Sequence, residues 1–280
     1  MVFILNKKEV TSMKLNKLLD FVREKNSSNV DVNSNEIFKV HEFSIKKKPL
    51  LRSAYKTFYK DMLEACDRHF SSDGLEIELG SGVGFFKEIK KNIITSEYKS
   101  RGLAFDMELD ATNMKLLDNS VKCFYAINVF HHISFPTKFF EELDRVLIIG
   151  GGCILIEPHL GFLSKLLFKN IHKEEYFDEH EKEWDSFQKN GPMNNANQAL
   201  AHNIFERDEL LFEKKYGNKL KIIDKRYILN GFRFICSGGL GFKQILPSFT
   251  LNVLKAIELI FSPIAKFWTP FRMIVIKKIN

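Results

Sequence analysis

The first part of the chain passes from a polar stretch to a helical pattern and then to a sharp break. Residues 20–45 are polar with little periodicity and predict a loose connection. From Leu51 to Cys66 apolar residues recur at spacings of three and four, which predicts an amphipathic helix packed on a core. Asp73 and Gly74 end this pattern. We therefore predict an N-terminal helical or linker extension over residues 1–49 and a main domain over residues 50–280.

Strand-like and helix-like segments alternate after Gly74. Strands are predicted over residues 75–79, 92–96, 103–109, 121–128 and 153–156, and helices over residues 85–91 and 137–147. This alternation is typical of an α/β fold with a mostly parallel, Rossmann-like sheet and helices on both faces, which binds ligands at the carboxyl ends of its strands. Only residues 98–102 separate the second and third predicted strands, too few for a parallel crossover. We therefore predict a sheet that is shortened between strands 2 and 3.

The last third of the chain is less regular. Strand candidates lie at residues 220–228, 232–236 and 273–277. Between the last two, apolar residues at helical spacing run from Leu251 to Trp268, interrupted by Pro263. We favour packing of this stripe against the sheet. Two alternatives stay open: a lid over an apolar binding site, and a surface that rests on a membrane, where Lys255, Lys266 and Arg272 would meet anionic headgroups.

Composition and charge narrow the function classes only slightly. Hydrophobic residues make up 45% and charged residues 28% of the chain, enough for a buried core. The net charge is +7, but the basic residues are scattered in short runs without a nucleic-acid-binding motif, which argues against a nucleic-acid partner. The four cysteines lie far apart without ligand spacing, so we predict neither a disulfide framework nor a metal site. The apolar start is too short for a signal sequence, so we expect a cytoplasmic protein.

A glycine-rich turn follows the first predicted strand. The segment from Leu75 to Gly84 reads L-E-I-E-L-G-S-G-V-G, with Glu78 near the strand end. Glycines permit positive φ angles and allow a bulky ligand to approach the backbone closely. The acidic residue would repel the pyrophosphate of a dinucleotide. It suits a cation instead, and S-adenosylmethionine (SAM) carries both an ammonium and a sulfonium. A plain strand-to-helix connection and a nicotinamide-dependent oxidoreductase remain alternatives.

Further motifs follow this turn in order along the chain. They are D-A-T-N-M-K-L-L-D-N-S-V at residues 110–121, N-V-F-H-H-I at 128–133, R-V-L-I-I-G-G-G at 145–152 and I-E-P at 156–158. With the glycine turn, they make residues 75–158 similar to the class I SAM-dependent methyltransferases that modify small molecules and lipids. The resemblance implies an enzyme with a seven-stranded sheet and SAM as its cofactor. The methyl group would be transferred by direct displacement, without a metal ion.

The same resemblance implies a set of cofactor contacts. Glu78 would bind the ammonium of SAM. Gly80, Ser81 and Gly82 would lie along its methionine part, with Gly84 completing the turn, and Asn128 would face the same part. Asp110 and Ala111 would hold the adenine. An acidic residue should also end the second strand and bind the ribose hydroxyls. Two residues compete for that role. We prefer Glu97, which directly follows the predicted strand, to Asp106, which lies within an alternating run.

Two histidines, His131 and His132, follow the fourth strand, near where the methyl group would be presented. One of them could accept a proton from the methyl acceptor, since histidine titrates near neutral pH. A structural, hydrogen-bonded role is the alternative. Further candidates on the acceptor side are His159, and His172 with Glu174 and Glu175.

The methyl acceptor should bind outside the cofactor motifs, in the part that spans residues 159–280. The Phe and Trp content of this part favours a small-molecule or lipid-like acceptor over a nucleic acid, with peripheral membrane contact as an extension of that idea. Two other functions stay open. One is a nicotinamide-type oxidoreductase, and the other is a protein that binds SAM without catalysis.

Overall fold

One sheet organises the part of the chain that the computed structural model describes, namely residues 23–24, 30–31, 34–71, 73–99, 105–162, 164–165, 175–186 and 196–280. Within these residues its seven strands are β1 (Leu75–Leu79), β2 (Ile94–Glu97), β3 (Met107–Glu108), β4 (Val121–Ile127), β5 (Leu147–Pro158), β6 (Leu220–Tyr227) and β7 (Phe271–Lys278). They lie in the order β3-β2-β1-β4-β5-β7-β6. The pairs from β3 to β5 are parallel, whereas β7 runs antiparallel to β5 and β6. The predicted fold class is confirmed.

Helices cover both faces of this sheet. They are α1 (Glu36–Lys47), α2 (Pro49–His69), α3 (Pro136–Val146), α4 (Leu200–His202), α5 (Glu209–Tyr216), α6 (Gly231–Cys236), α7 (Leu251–Ile260) and α8 (Ala265–Trp268). Phe58 of α2 belongs to the apolar cluster on one face, and Phe140 of α3 to the cluster on the other. Phe124 and Tyr125 of β4 join opposite clusters, because successive side chains of a strand point to opposite faces. The sheet is therefore buried on both sides.

The carboxyl ends of four parallel strands meet at one edge of the sheet. β1 lies between β2 and β4, and its Glu78 is paired with Thr95 on one side and Tyr125 on the other. β4 in turn pairs with β5 as far as Ile127 and Ile156. The residues that follow these four strands therefore emerge side by side, which is where parallel α/β sheets bind ligands.

The connection between β2 and β3 is short, as predicted, and still returns in parallel. It consists of residues 98–106, and its described residues 98, 99, 105 and 106 are not helical. The predicted strand over residues 103–109 is reduced to Met107–Glu108. This shortening of β3 leaves the chain enough length to reverse direction and pair Ser96 with Met107 in parallel.

Several local predictions are wrong. Residues 232–236 belong to helix α6 and not to a strand. Part of the stretch predicted as a loose connection is helix α1, which buries Ile37, Phe38, Val40 and Ile45. The helix predicted over residues 85–91 is only a 3-10 turn, Phe85–Glu88. In each case a contact with a distant part of the chain or a tight turn overrides the local pattern. The domain boundary at residue 49 stays a prediction.

Candidate active site

The glycine turn after β1 has three left-handed residues. The φ angles of Gly80, Gly82 and Gly84 are +60°, +57° and +68°, a region that side chains disfavour. At Gly80 an added Cβ would lie 2.5 Å from Cγ2 of Val129, so this glycine allows the turn after β4 to approach. At Gly82 and Gly84 an added Cβ would meet no heavy atom of the described residues within 4 Å. The turn therefore has open space beside it, which a ligand can occupy.

Glu78 is a buried carboxyl group at this turn. Its side chain is only 3% exposed, and its Oε1 accepts a hydrogen bond of 2.7 Å from the Tyr59 hydroxyl. Its Oε2 is buried and has no hydrogen-bond partner within the described residues. Burial raises the pKa of Glu78 to about 8, against the opposing effect of the Tyr59 hydrogen bond. A buried acceptor without a donor is costly, so this oxygen favours a ligand that can donate, above all a cation.

Glu97 and Asp106, the two candidates for the ribose, occupy different surroundings. Glu97 ends β2, and its Oε1 accepts a hydrogen bond of 2.7 Å from the backbone N–H of Gly82. Asp106 instead accepts from the backbone N–H and the hydroxyl of Thr95, at 2.7 and 2.9 Å, and forms an ion pair of 2.5 Å with Lys87. The structure thus brings Glu97 to the glycine turn, whereas Asp106 stabilises the connection before β3.

Asp110 and Ala111 follow β3 beside the end of β2. The backbone N–H of Leu109 donates to the carbonyl of Glu97 at 2.8 Å, which ties this loop to β2. One carboxylate oxygen of Asp110, Oδ1, accepts from both the backbone N–H and the hydroxyl of Thr112, each at 2.8 Å. Ala111 is half-buried and packs against the apolar core. These contacts fix the orientation of the Asp110 carboxylate near the end of β2.

Asn128, directly after β4, has an unusual backbone and an unpartnered side chain. Its φ angle is +55°, which asparagine tolerates better than most residues. Its backbone N–H donates to the carbonyl of Ile156 at 2.8 Å. Its side-chain Oδ1 is buried without a hydrogen-bond partner among the described residues. Like the free oxygen of Glu78, this atom is an acceptor that a bound ligand would satisfy.

His131 is fixed by a carboxylate that the sequence analysis did not single out. Its Nδ1 lies 2.5 Å from Oε2 of Glu157, which is completely buried near the end of β5. Oε1 of Glu157 also accepts from the backbone N–H groups of Val129 and Phe130, at 3.0 and 2.8 Å. Burial alone would lower the pKa of His131, but the charge of Glu157 outweighs it and the pKa is raised. The acidic residue at the end of a buried strand was the signal that could have revealed this pair.

His132 lies beside His131 and faces a third residue, Glu175. The ring centroids of the two histidines are 4.2 Å apart. Nε2 of His132 lies 3.5 Å from Oε1 of Glu175, and Nε2 of His131 lies 3.9 Å from Oε2. One potential ligand atom from each of the three residues falls within 4.8 Å of the others. His172 and Glu174, named with Glu175 from the sequence, lie outside the described residues.

Residues 60–155 match the family model of the methyltransferase domain. The matched residues include the glycine turn and the acidic residues Glu78, Glu97 and Asp110. The chain therefore carries a class I SAM-dependent methyltransferase domain over residues 60–155. Its cofactor is SAM. The nicotinamide oxidoreductase and the non-catalytic SAM-binding protein have no support from the match.

Solved structures with a similar fold include three methyltransferases. One is a SAM-dependent methyltransferase of Thermotoga maritima, with 16% identity, a TM-score of 0.45 and coverage of 87% of this chain and 93% of that chain. Another, from Archaeoglobus fulgidus, has 14% identity, a TM-score of 0.41 and coverage of 78% and 92%. The third is geranyl diphosphate C-methyltransferase of Streptomyces coelicolor A3(2), with 10% identity, a TM-score of 0.41 and 78% coverage of each chain. No curated protein matches this sequence.

The sheet edge of the methyltransferase fits the chemistry of SAM. The ammonium of SAM is a donor for the free oxygen of Glu78, and open space beside Gly82 admits a ligand. Carboxylates at Glu97 and Asp110 offer acceptors for hydroxyl and amine donors farther along the edge. The fit of this site to SAM therefore rests on buried oxygen atoms that lack a hydrogen-bond donor among the described residues, and on the open space beside the glycine turn.

On the acceptor side of the methyltransferase, the chain after β5 runs against α8. His159 donates from Nε2 to the carbonyl of Lys266 at 3.0 Å, and the Ser164 hydroxyl donates to the carbonyl of Thr269 at 3.0 Å. At Gly161 an added Cβ would lie 2.8 Å from the Lys266 carbonyl oxygen, so the two segments are in close contact. Helix α8 therefore packs against the segment that directly follows Glu157.

The stripe from Leu251 to Trp268 is only partly core. Leu254, Ala265 and Trp268 are buried, as the favoured prediction requires. The other side carries what we call the apolar face, formed by Phe249, Val253, Leu259, Ile260, Phe261, Ile264 and Phe267, whose exposed fractions run from 45% to 84%. No single helix among the described residues is long and apolar enough to cross a bilayer. The helical segments Ser248–Ile260 and Ser262–Trp268 reach that length and apolar character only when they are taken together, and the angle between them is 61°.

Proposed function

We propose that this methyltransferase transfers the methyl group of SAM to an apolar, lipid-like acceptor that it takes up at a membrane surface. The observation that carries the proposal is the contact of α8, which contributes Phe267 to the apolar face, with the chain that leaves β5. A peripheral location on the cytoplasmic side of a membrane is part of the proposal.

The apolar face has the composition of a helix that rests in a membrane interface. Phenylalanine, leucine and isoleucine side chains point into solvent, where each large apolar group left uncovered costs free energy. Lys255 and Lys266 are exposed on the same helices, and Nζ of Lys266 lies 4.9 Å from the ring centroid of Phe267. Apolar side chains bordered by lysines suit a bilayer with anionic headgroups.

The helices that carry this face are firmly anchored to the rest of the fold. Glu258 of α7 is buried and accepts from Nε of Arg233 at 2.6 Å and from its backbone N–H at 2.9 Å. Trp268 of α8 stacks on Phe232 with ring centroids 4.5 Å apart and an interplanar angle of 5°. A membrane bound to the apolar face would therefore hold the whole site in one orientation relative to the lipid.

The cofactor would be held by the residues around the glycine turn. In this proposal Glu78 binds the ammonium of SAM, Gly80, Ser81, Gly82 and Gly84 border its methionine part, and Asn128 faces that part from β4. Glu97 binds the ribose hydroxyls. Asp110 accepts from the adenine amine beside Ala111. The free oxygen of Glu78 and the contact of Glu97 with Gly82 support these roles.

The acceptor's nucleophilic atom would lie beside His131 and His132. When bound, SAM supplies an electrophilic methyl group on a sulfonium, so the protein needs mainly to align the nucleophile and to exclude water. Glu157 holds Nδ1 of His131 and leaves Nε2 as the atom that can face the acceptor. His131 and His132 are thus the polar groups beside the reacting atoms, and replacing His132 should reduce kcat more than the affinity for SAM.

Sedimentation with lipid vesicles tests the membrane part of the proposal. The wild type should sediment with vesicles that contain anionic lipid, and Leu259→Ser with Ile260→Ser should abolish this binding without lowering Tm. Leu210→Ser is the matched control, because Leu210 is 83% exposed on α5 and Ile260 is 71% exposed. A wild type that stays in the supernatant with anionic vesicles would refute the proposal. So would a concentration-dependent dimer that the double substitution dissociates.

A further inference from the structure

We infer that His131, His132 and Glu175 form a binding site for a divalent transition-metal ion at the acceptor end of the active site. The inference starts from the convergence of two imidazoles and one carboxylate on one small space. It concerns residues that neither the glycine turn nor the cofactor contacts involve. It rests on the proposed function only for the statement that the acceptor binds there.

The distances are close to those of a three-ligand site. Ligand atoms at about 2.0 to 2.1 Å from a tetrahedral zinc ion lie about 3.3 Å from each other. Nε2 of His132 and Oε1 of Glu175 are already 3.5 Å apart. Nε2 of His131 is 3.9 Å from the other oxygen of Glu175. The ligand atoms of the two histidines lie within 4.8 Å of each other, so small adjustments of both rings and of the Glu175 carboxylate would bring all three groups to ligand distance.

The residues behind the three ligands have the arrangement that metal sites use. Histidine ligands almost always donate their other ring N–H to a carboxylate, carbonyl or water, which fixes the tautomer. Glu157 occupies this position behind His131, at 2.5 Å from Nδ1, and leaves the lone pair on Nε2. On the other side Gln198 donates from Nε2 to Oε2 of Glu175. Both a histidine ligand and the carboxylate ligand are therefore held in place from outside.

The ligand types indicate the class of metal. Imidazole suits Zn²⁺, Fe²⁺ and similar ions, whereas Mg²⁺ and Ca²⁺ prefer sites made of oxygen ligands alone. Three protein ligands leave at least one coordination position open, as in catalytic rather than structural zinc sites. An oxygen atom of the acceptor would take that position beside the methyl group. Both histidines would then act as ligands, in place of the proton acceptor that the sequence predicted.

Spacing along the chain gives no sign of this metal site. His131 and His132 are adjacent, but Glu175 lies in a different segment, after β5. The backbone N–H of Tyr176 donates to Ala196 at 3.0 Å, and that of Gln198 donates to Tyr176 at 3.0 Å. These bonds hold the segment of Glu175 to the start of α4, and so bring the carboxylate to the histidines.

Titration of the full chain with Zn²⁺ and with Co²⁺ tests the inference. We expect one ion per chain by calorimetry, and visible Co²⁺ absorption bands without the intense thiolate bands that ligation by cysteine would produce. His132→Gln and Glu175→Gln should each weaken binding at least tenfold. Glu157→Gln should weaken it by about ten- to a hundredfold, because it supports a ligand. His69→Gln is the matched control, since His69 also pairs with a carboxylate, Asp224 at 3.2 Å.

The result that would overturn the inference is either an absence of stoichiometric binding or binding that His132→Gln and Glu175→Gln leave unchanged. Circular dichroism and the affinity for SAM show whether these variants are folded. Neither vesicles nor an acceptor enters the titration. Failure here would therefore leave the membrane proposal intact, and failure of vesicle sedimentation would leave the metal site intact.

Discussion

The cofactor edge and the acceptor side of this methyltransferase are built in different ways. At the cofactor edge, Glu78 and three left-handed glycines lie within one short segment, so local sequence specifies most of the geometry. On the acceptor side, His131, His132 and His159 are contacted by Glu157, Glu175 and Lys266, respectively, each from a different segment of the chain. The comparison teaches that the reaction class can be read from a local motif, whereas acceptor binding depends on long-range packing.

The largest effect is expected when the open space at the cofactor edge is filled by a side chain. Gly82→Val should abolish SAM binding while the chain still folds, because a branched side chain would occupy the ligand's space at a φ of +57°. Calorimetry with SAM measures the effect. Gly239→Val controls for backbone strain, since Gly239 has a φ of +56° away from the site, and it should retain full affinity. Normal binding by folded Gly82→Val would make the turn a plain connection.

The two sides of the C-terminal helices offer the next largest contrast. Trp268 is 6% exposed and Phe267 is 52% exposed, although they are neighbours. Trp268→Ser should lower the free energy of unfolding by about 3 to 5 kcal/mol, as for other buried aromatic truncations. Phe267→Ser should cost about 0.5 kcal/mol or less but weaken vesicle binding. Denaturant unfolding and sedimentation measure the two effects. Equal stability losses would mean that the apolar face is buried in solution.

Substitutions of Glu97 and Asp106 decide which of these two acidic residues binds the ribose at the cofactor edge. Glu97→Gln should weaken SAM binding by about 1 to 3 kcal/mol, because an amide cannot accept from both hydroxyls as a carboxylate does. Asp106→Asn should leave the affinity unchanged and slightly lower Tm, since it loses the Lys87 ion pair. Titration with SAM ranks the two variants. The opposite ranking would transfer the ribose role to Asp106.

The smallest expected effect is a pH dependence that originates at Glu78. Its pKa of about 8 means that the free protein holds this carboxyl protonated at neutral pH, whereas a bound ammonium favours the ionised form. The affinity for SAM should therefore rise by at most about tenfold per pH unit up to about pH 8 and then level off. Calorimetry between about pH 6 and pH 9 measures the slope. Glu78→Gln should remove this part of the slope, and an unchanged profile would exclude Glu78.

The same shift has a consequence for stability. Since the folded-state pKa is raised from 4.5 to about 8, the contribution of Glu78 to stability is fully present below about pH 4.5. It is lost as the pH rises through about 8, where the buried group must ionise. Glu78→Gln should therefore raise Tm most at alkaline pH, and thermal melts across this range check the sign. This would be a site residue that favours function at the expense of stability.

The parts of the structure that could be predicted from the sequence are those with local causes. Alternating segments from Leu75 onward predicted the parallel sheet, and the glycine turn with Glu78 predicted the cofactor edge. Helix α6 could not be predicted, because Phe232 and Phe234 at alternate positions resemble a strand. Its helical form instead serves the buried ion pair of Arg233 with Glu258. Helix α1 was missed because it follows a polar stretch, and its contacts with Phe105 and Leu240 are remote in sequence.

The acceptor side could be predicted only in outline, for the same physical reason. His131 and His132 were identified from their place after β4, and Glu175 was named without a partner. The contact between Glu175 and His132 depends on how the chain after β5 returns to the sheet edge, which no short pattern records. The exposure of Ile260 beside the burial of Leu254 is equally a result of tertiary packing.

The most direct test of the account is to follow the methyl group itself. The protein would be incubated with SAM labelled on its methyl carbon and with vesicles made from a total lipid extract that includes anionic lipids. We predict that the label enters the organic-solvent fraction, that Leu259→Ser with Ile260→Ser slows this transfer strongly, and that Leu210→Ser does not. Label found only in water-soluble products, at a rate that the double substitution leaves unchanged, would contradict the account.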